Sequence, residues 1–367
     1  MLSSPVCPNV ACKVKANAVV KYCRSRPVAS ANGERRQRFR CNHCLKTFSQ
    51  NVHHFDYRFK SKDPGLSAKI FSAHLAGNTN RRIGRDHHFS EHGIRRRLKR
   101  ISDWGFDFQA WHMENFKIKE EICMDGLQNF AGTQYDPNYI NQAIGRDSLF
   151  IYDFNFSPLN RRGRMSPWQQ RRMKEIHETE GRYHRAAVRS STKTLLMRLY
   201  ARRAHEDKPL VLLSDKHYQY RQCVQIDLKH FNIKHITIAG TACRNFQNIL
   251  FSVNHADLLI RQDLAAFKRE TIAFSKTHAA MCQRFNLFAL HKNYMATQFV
   301  KKQVRRPLAH RQSPAQFLGI TDHILKFHEI FSPEMRMKTK NATDRHEDWR
   351  LFKADLLPEN CYRSLDY

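Results

Sequence analysis

Apolar positions fall into two rhythms along this chain. Between residues 68 and 101 they keep helical spacing: Ile70, Phe71, His74 and Leu75 precede a Gly77-Asn78 break, and Ile94, Leu98 and Ile101 recur at i, i+4 and i+7. From about residue 120 the pattern becomes short apolar runs of strand length. EEICMDGLQNF reads as a strand ending in Asp125, and YINQAIGRD and SLFIYDFNF as two more, rich in β-branched and aromatic residues. PLVLLSDKHYQY contains a continuous apolar run, as in a buried strand, that delivers Asp215 at its end, and NIKHITIAG is a fifth. Helical spacing through Val188, Leu195, Leu196, Leu199 and Tyr200 predicts a helix over 187–206, and further helices are expected over 254–274 and 274–295. Three strands, a helix, a strand, a short helix, a strand and a helix predict the α/β class with mixed sheet pairing.

Composition keeps the chain globular but makes its charge extreme. Hydrophobic residues are 41% of 367, enough for a real core, whereas 63 Lys+Arg face 33 Asp+Glu for a formal net charge of +30. That balance points to a polyanionic partner. Residues 1–117 hold 23 Lys/Arg against 8 Asp/Glu, and residues 161–203 hold 13 against Glu175, Glu178 and Glu180. Two basic regions suggest two contact surfaces on nucleic acid, against the plainer alternative of two solvated faces. No apolar run approaches membrane-helix length, and MLSSPVCPNVAC lacks the apolar core of a signal peptide, so neither a membrane role nor export is expected. The absence of a Gly-rich phosphate loop gives no reason to expect a nucleotide cofactor.

Ten cysteines are too few for a disulfide scaffold, yet four of them are paired at knuckle spacing. Cys7 and Cys12 sit in CPNVAC, Cys41 and Cys44 in RFRCNHCLKTFS. Two such pairs can close over one tetrahedral Zn²⁺, and a closed four-Cys site is structural. Cys23, between the pairs, can substitute for a ligand but has no partner at knuckle spacing. Arg35, Arg36, Arg38 and Arg40 beside the second pair suit phosphate contact, so a DNA-binding zinc ribbon is expected.

The second basic module is expected to have three short helices. Ser90 is placed to cap the third, whose outer face carries Arg95, Arg96, Lys99 and Arg100, while Arg81 and Arg82 lie on the second. This pattern predicts a helix-turn-helix that lays its last helix in a major groove.

Strand-end acids carry the candidate chemistry. If Asp125 and Asp215 meet in the sheet they can hold Mg²⁺ or Mn²⁺, whose pairing at a phosphate supports in-line displacement. Strand-end aspartates also serve as caps and turn formers.

Together these motifs resemble those of bacterial insertion-sequence transposases with an N-terminal zinc ribbon, a helix-turn-helix and an RNase H-like DDE domain. CPNVAC with QRFRCNHCLKTFS is similar to the family's ribbon, MDGLQNF and LLSDKHYQY to its first two acidic motifs, and VNHADLLIRQDLAAFKRETIAFSK to its third. PLNRRGRMSPWQQRR and RQSPAQFLGITD extend the likeness over roughly residues 5 to 330. The resemblance implies an RNase H-like mixed sheet with flanking helices, preceded by a zinc ribbon over 1–50 and a helix-turn-helix over 65–103. The catalytic domain would cover 117–300 with a basic insertion at 158–186, followed by a basic linker and tail over 301–367. It puts the metal-binding carboxylates on Asp125 and Asp215 and the third position on Asn254, with Asp257 and Glu270 as the carboxylates that can stand in. Trp168 and Tyr183 in the insertion are expected to anchor the core. The implied protein is a transposase that cuts and joins double-stranded DNA, acts as a dimer or larger assembly, and resides at the bacterial nucleoid. The alternative is an inactive, zinc-dependent DNA-binding regulator, which Asn254 favours.

Overall fold

The computed structural model describes residues 7, 12, 20–22, 28–29, 35–36, 38–49, 55–56, 63, 65–297 and 311–367. Cys23 and the basic linker residues Lys301, Lys302, Arg305 and Arg306 lie outside them. Five short strands come first: β1 (Val20–Tyr22), β2 (Val28–Ala29), β3 (Arg35–Arg36), β4 (Arg38–Cys41) and β5 (Thr47–Ser49), with β1, β4 and β5 forming one antiparallel sheet. Its small core of Cys7, Cys12, Cys41 and Phe48 is separate from the main hydrophobic cluster.

Three helices follow as their spacing predicts: α1 (Leu66–Leu75), α2 (Asn80–Asp86) and α3 (Glu91–Glu114). Thr79 and Ser90 cap the second and third by accepting from the backbone of Arg82 and Gly93. The third helix outruns the expected boundary near 103. Trp104–Trp111 lies in its second half, because Phe106, Phe108 and Met113 continue the buried stripe begun by Ile94, Leu98 and Ile101. Helix α3 therefore belongs to both the basic module and the main core.

The remainder is a mixed α/β layer built on β6 (Ile122–Phe130), β7 (Pro137–Gly145), β8 (Ile151–Pro158), β9 (Leu210–Asp215) and β10 (Ile233–Ile238), in the order β10-β9-β6-β7-β8. Strands β6, β7 and β8 pair antiparallel, while β6, β9 and β10 run parallel. Helices α4 (Pro167–Thr179), α5 (Ala187–Ala201), α6 (Tyr218–Gln222), α7 (Phe251–Asp263) and α8 (His278–Leu290) flank it. Two predicted boundaries shift. Asp125 lies inside β6 rather than at its end, because β6 stays bonded to β7 as far as Phe130. Helix α7 stops at Asp263 rather than continuing to 274, since Leu264 adopts an extended conformation before a single 3-10 turn. In the insertion, Tyr183 is buried as expected, whereas Trp168 is 62% exposed on the first turn of α4. No helix among the described residues is long and apolar enough to cross a membrane.

The C-terminal segment packs as α9 (Pro314–Phe317), within RQSPAQFLGITD, α10 (Phe327–Ile330), α11 (Pro333–Thr339) and α12 (Glu347–Lys353), the last two in the tail after about 331 that shows no motif in the sequence. Ile330, Phe331, Trp349, Phe352 and Cys361 join the main core. Its polar residues satisfy acids buried elsewhere. Asp107 on α3 takes bonds from Arg336 (2.6 Å), Lys353 (2.5 Å) and Thr343 (2.8 Å). Asp153 on β8 is bonded by Arg198 (2.8 Å) and His346 (3.1 Å). Burial pushes the Asp153 carboxyl up, but Arg198 and His346 together hold it well below the usual carboxylate range. Removing one partner of such a pair strands the other charge, so Asp153→Ala is expected to cost about 3 kcal/mol. Urea unfolding measures it, and a loss within 1 kcal/mol, the scale of a surface pair, would contradict this account.

Candidate active site and metal cluster

Sheet register brings the two predicted acids together. The parallel bonding of β6 to β9 runs through Ile122, Cys123 and Met124 opposite Leu212, Leu213 and Ser214, then stops. Asp125 and Asp215 occupy the next position on each strand, where the strands part. In-register residues of adjacent parallel strands point to the same face at roughly 5 Å spacing. Asp125 accepts from its neighbour Gly126 N–H (2.7 Å), and Asp215 from His217 N–H (2.9 Å). Gly126 permits this closeness, since a Cβ there would lie 2.8 Å from the Tyr139 ring and 3.1 Å from the Tyr220 hydroxyl.

Helix α7 supplies a third carboxylate. Asp257 accepts from Gln142 on β7, a contact that ties the helix to the sheet. Burial first, then the charges of Asp257 and Asp215, push the Asp125 carboxyl up to about 7. Burial also raises Asp257 to about 6, against the opposing effects of the Gln142 bond, Arg261 and Arg244. Asn254 lies one turn earlier on the same helix and is half-buried. Glu270 is elsewhere, exposed in a left-handed conformation on a loop beyond the helix. Asp125 thus sits in electrostatic reach of both Asp215 and Asp257, which come from two other elements. Carboxylate oxygens are the donors that hard divalent cations prefer. Such crowding is maintained against repulsion, which marks a candidate functional site.

Behind Tyr139, which feels the charges of Asp125 and Asp215, and His217, which donates to Asp215, lies an open cleft of about 520 Å³ lined by these two residues with Gln128 and Tyr218. Arg161, Arg162, Arg185, Arg261, Lys268 and Arg269 also line it, with Glu270 as the single acid. Three of these arginines belong to the basic stretch read from the sequence. Lys268 and Arg269 come from the loop after α7, outside that stretch.

The predicted DNA-contact residues divide into two groups. Arg81, Arg82, Arg95 and Arg96 are exposed on α2 and α3, the first two in solvent-facing pairs with Glu91 and Asp86. Lys99 is instead bonded to Asp103 (3.2 Å) and the Lys353 carbonyl (2.6 Å), and the Arg100 guanidinium lies 4.9 Å from the ring centres of Phe55 and Trp104. These two hold α3 to the body. The same helix buries Arg97 in an ion pair with Asp56 (2.8 Å), a structural cation that periodicity alone could not separate from its exposed neighbours.

At the other end of the chain the four predicted cysteines converge, with all four Sγ atoms within 4.8 Å of one another. Cys7 and Cys44 are 3.5 Å apart, Cys12 and Cys41 3.8 Å. A tetrahedron with Zn–S bonds of about 2.3 Å has edges of about 3.8 Å, so the spacing fits a metal such as zinc. Backbone N–H groups of Cys44 and His43 aimed at the Cys41 sulfur hold its thiol below the ordinary value, which favours the ligating thiolate. No protein-family model matches this chain, and no curated protein matches it.

Proposed function

We propose that this protein is a DNA transposase of an insertion element that binds element ends and performs divalent-metal-dependent strand cleavage and transfer. The observation that carries the reading is the meeting of Asp125, Asp215 and Asp257 beside a cleft lined by six cations. The sheet order, with three antiparallel strands and two parallel ones added beside the first, supports an RNase H-like domain. In this reading Asp125 and Asp215 hold Mg²⁺ or Mn²⁺ from the sheet and α7 supplies the third group. Bound cations would activate the attacking water or 3′-hydroxyl and stabilise the leaving oxygen. Arg161, Arg162 and Arg185 hold the DNA backbone by phosphate contact, which fixes register without reading sequence. The four-cysteine cluster acts as a structural zinc ribbon, and the exposed arginines of α2 and α3 give a helix-turn-helix its groove-facing surface.

The test is strand transfer on DNA ends flanking the gene, with Mg²⁺ or Mn²⁺. Products are expected from wild type and not from Asp125→Ala or Asp215→Ala. Binding to ends without products under either metal would leave the inactive regulator. For the third position, geometry favours Asp257 over Asn254: it alone adds negative charge, and it is coupled to Asp125. Asp257→Ala is expected to lower strand transfer by about a hundredfold or more, and Asn254→Ala by less. The reverse order of effects would return the role to Asn254.

A further inference from the structure

The cleft wall nearest Asp215 is aromatic and organised. Tyr218 is 50% exposed on the cleft, although large apolar side chains beside it are buried. Its ring stacks on His217, with centroids 5.3 Å apart and planes at 23°. His217 in turn packs on Tyr220 (4.8 Å), which is fully buried beside the acids. The platform is braced from behind. Gln219, itself buried, donates to the Tyr218 hydroxyl (2.7 Å) and to the Arg185 carbonyl (3.0 Å), and accepts from Arg189 N–H (2.8 Å). A tyrosine that served only to cover the core would not leave half its ring open while its hydroxyl is tethered. Cations on the same cleft supply partners for phosphates, and an exposed aromatic face beside such cations is the pairing that binds unpaired nucleotides.

Resting on the transposase reading above, we infer that Tyr218, backed by His217, is a stacking platform for an unpaired DNA base next to the cutting site. The substrate of the cleft is then a DNA end with its terminal nucleotides unstacked, not a continuous blunt duplex. Tyr218 touches substrate as a positioning residue, while Asp125 and Asp215 face the phosphate.

The experiment measures binding alone, so it is independent of chemistry. Zinc-loaded full-length protein, without added Mg²⁺ or Mn²⁺, is titrated with a blunt duplex and with the same duplex carrying a short single-stranded tail. The tail contains 2-aminopurine, whose fluorescence is quenched on stacking. Wild type is expected to prefer the tailed DNA and to quench the probe. Tyr218→Ala should lose the preference by about tenfold, the scale of one base–aromatic stack, and release the quench. Tyr218→Phe and Tyr218→Trp should keep both, which separates stacking from damage to the fold. An unchanged preference in Tyr218→Ala, or no preference in wild type, overturns the platform while leaving strand transfer to be judged by its own assay. A preserved preference beside failed strand transfer sustains the platform and removes the enzyme. No binding to either DNA overturns both.

Discussion

Asp125→Asn protein, zinc-loaded and without Mg²⁺ or Mn²⁺, should unfold at a higher temperature than wild type at pH 8 and at the same temperature near pH 4. In the folded chain the Asp125 carboxyl is raised to about 7, chiefly by burial and then by the charges of Asp257 and Asp215. An unfolded Asp titrates near 4. The folded state therefore holds this proton more tightly than the unfolded state. Stability falls as pH rises from about 4 to about 7, and the full penalty is present above that window. Asparagine removes the charge and with it the penalty, worth on the order of 2 kcal/mol for a half-buried group. On the transposase reading proposed above, the same substitution should lower strand transfer by about a thousandfold or more, since this carboxylate would be a ligand for the cations at the reacting phosphate. A variant that is more stable yet inactive is what a site maintained for function produces. Thermal melts across pH 4 to 8 decide the first half. A gain that persists undiminished at pH 4 would show that Asn packs better and that charge repulsion is not the cause.

What the sequence disclosed and what it hid follow from the range of the interactions. The strands of the sheet are legible because buried strands carry continuous apolar runs, as LVLL does in β9. The cysteine pairs were legible because metal knuckles need close spacing within each pair. The sequence pattern places Asp125 at a strand end because a half-buried acid in mid-strand breaks the apolar run as a turn would. Its position follows only from the β6–β9 register, in which the bonding stops one residue earlier. The segment after about 331 looked featureless for a similar reason. Arg336, Lys353 and His346 look like solvent-facing side chains in the sequence, yet each pairs with an acid more than a hundred residues away, in α3 or β8. Likewise, nothing in RRRLKR separates the buried Arg97 from exposed Arg95 and Arg96. Periodicity names a face of a helix, but only the packed partner decides which cation on that face is structural.

Removing metal from the four cysteines should unfold the N-terminal module and leave the rest of the chain standing. Among the described residues, the small core there consists of Cys7, Cys12, Cys41 and Phe48, with Phe39 and Cys44 against it. A core of this size, as the described residues form it, does not offset the backbone entropy of ordering such a module. Structural zinc in small modules supplies roughly 10–16 kcal/mol of apparent binding free energy at neutral pH, and that energy is folding energy. Without it, the sulfurs of each pair, 3.5 and 3.8 Å apart, keep only weak S–H···S contacts in place of metal bonds. The main core is a separate cluster and takes no residue from this one, so it has no reason to melt with it. Native mass spectrometry should therefore find one zinc per chain. Chelation should open the arginines and lysines before residue 50 to trypsin within the time that residues beyond 65 resist it. Cys41→Ser should reproduce that digestion pattern without chelator. If the N-terminal cleavage pattern is the same with and without metal, the cysteines do not hold this module together, and the ribbon reading fails with them.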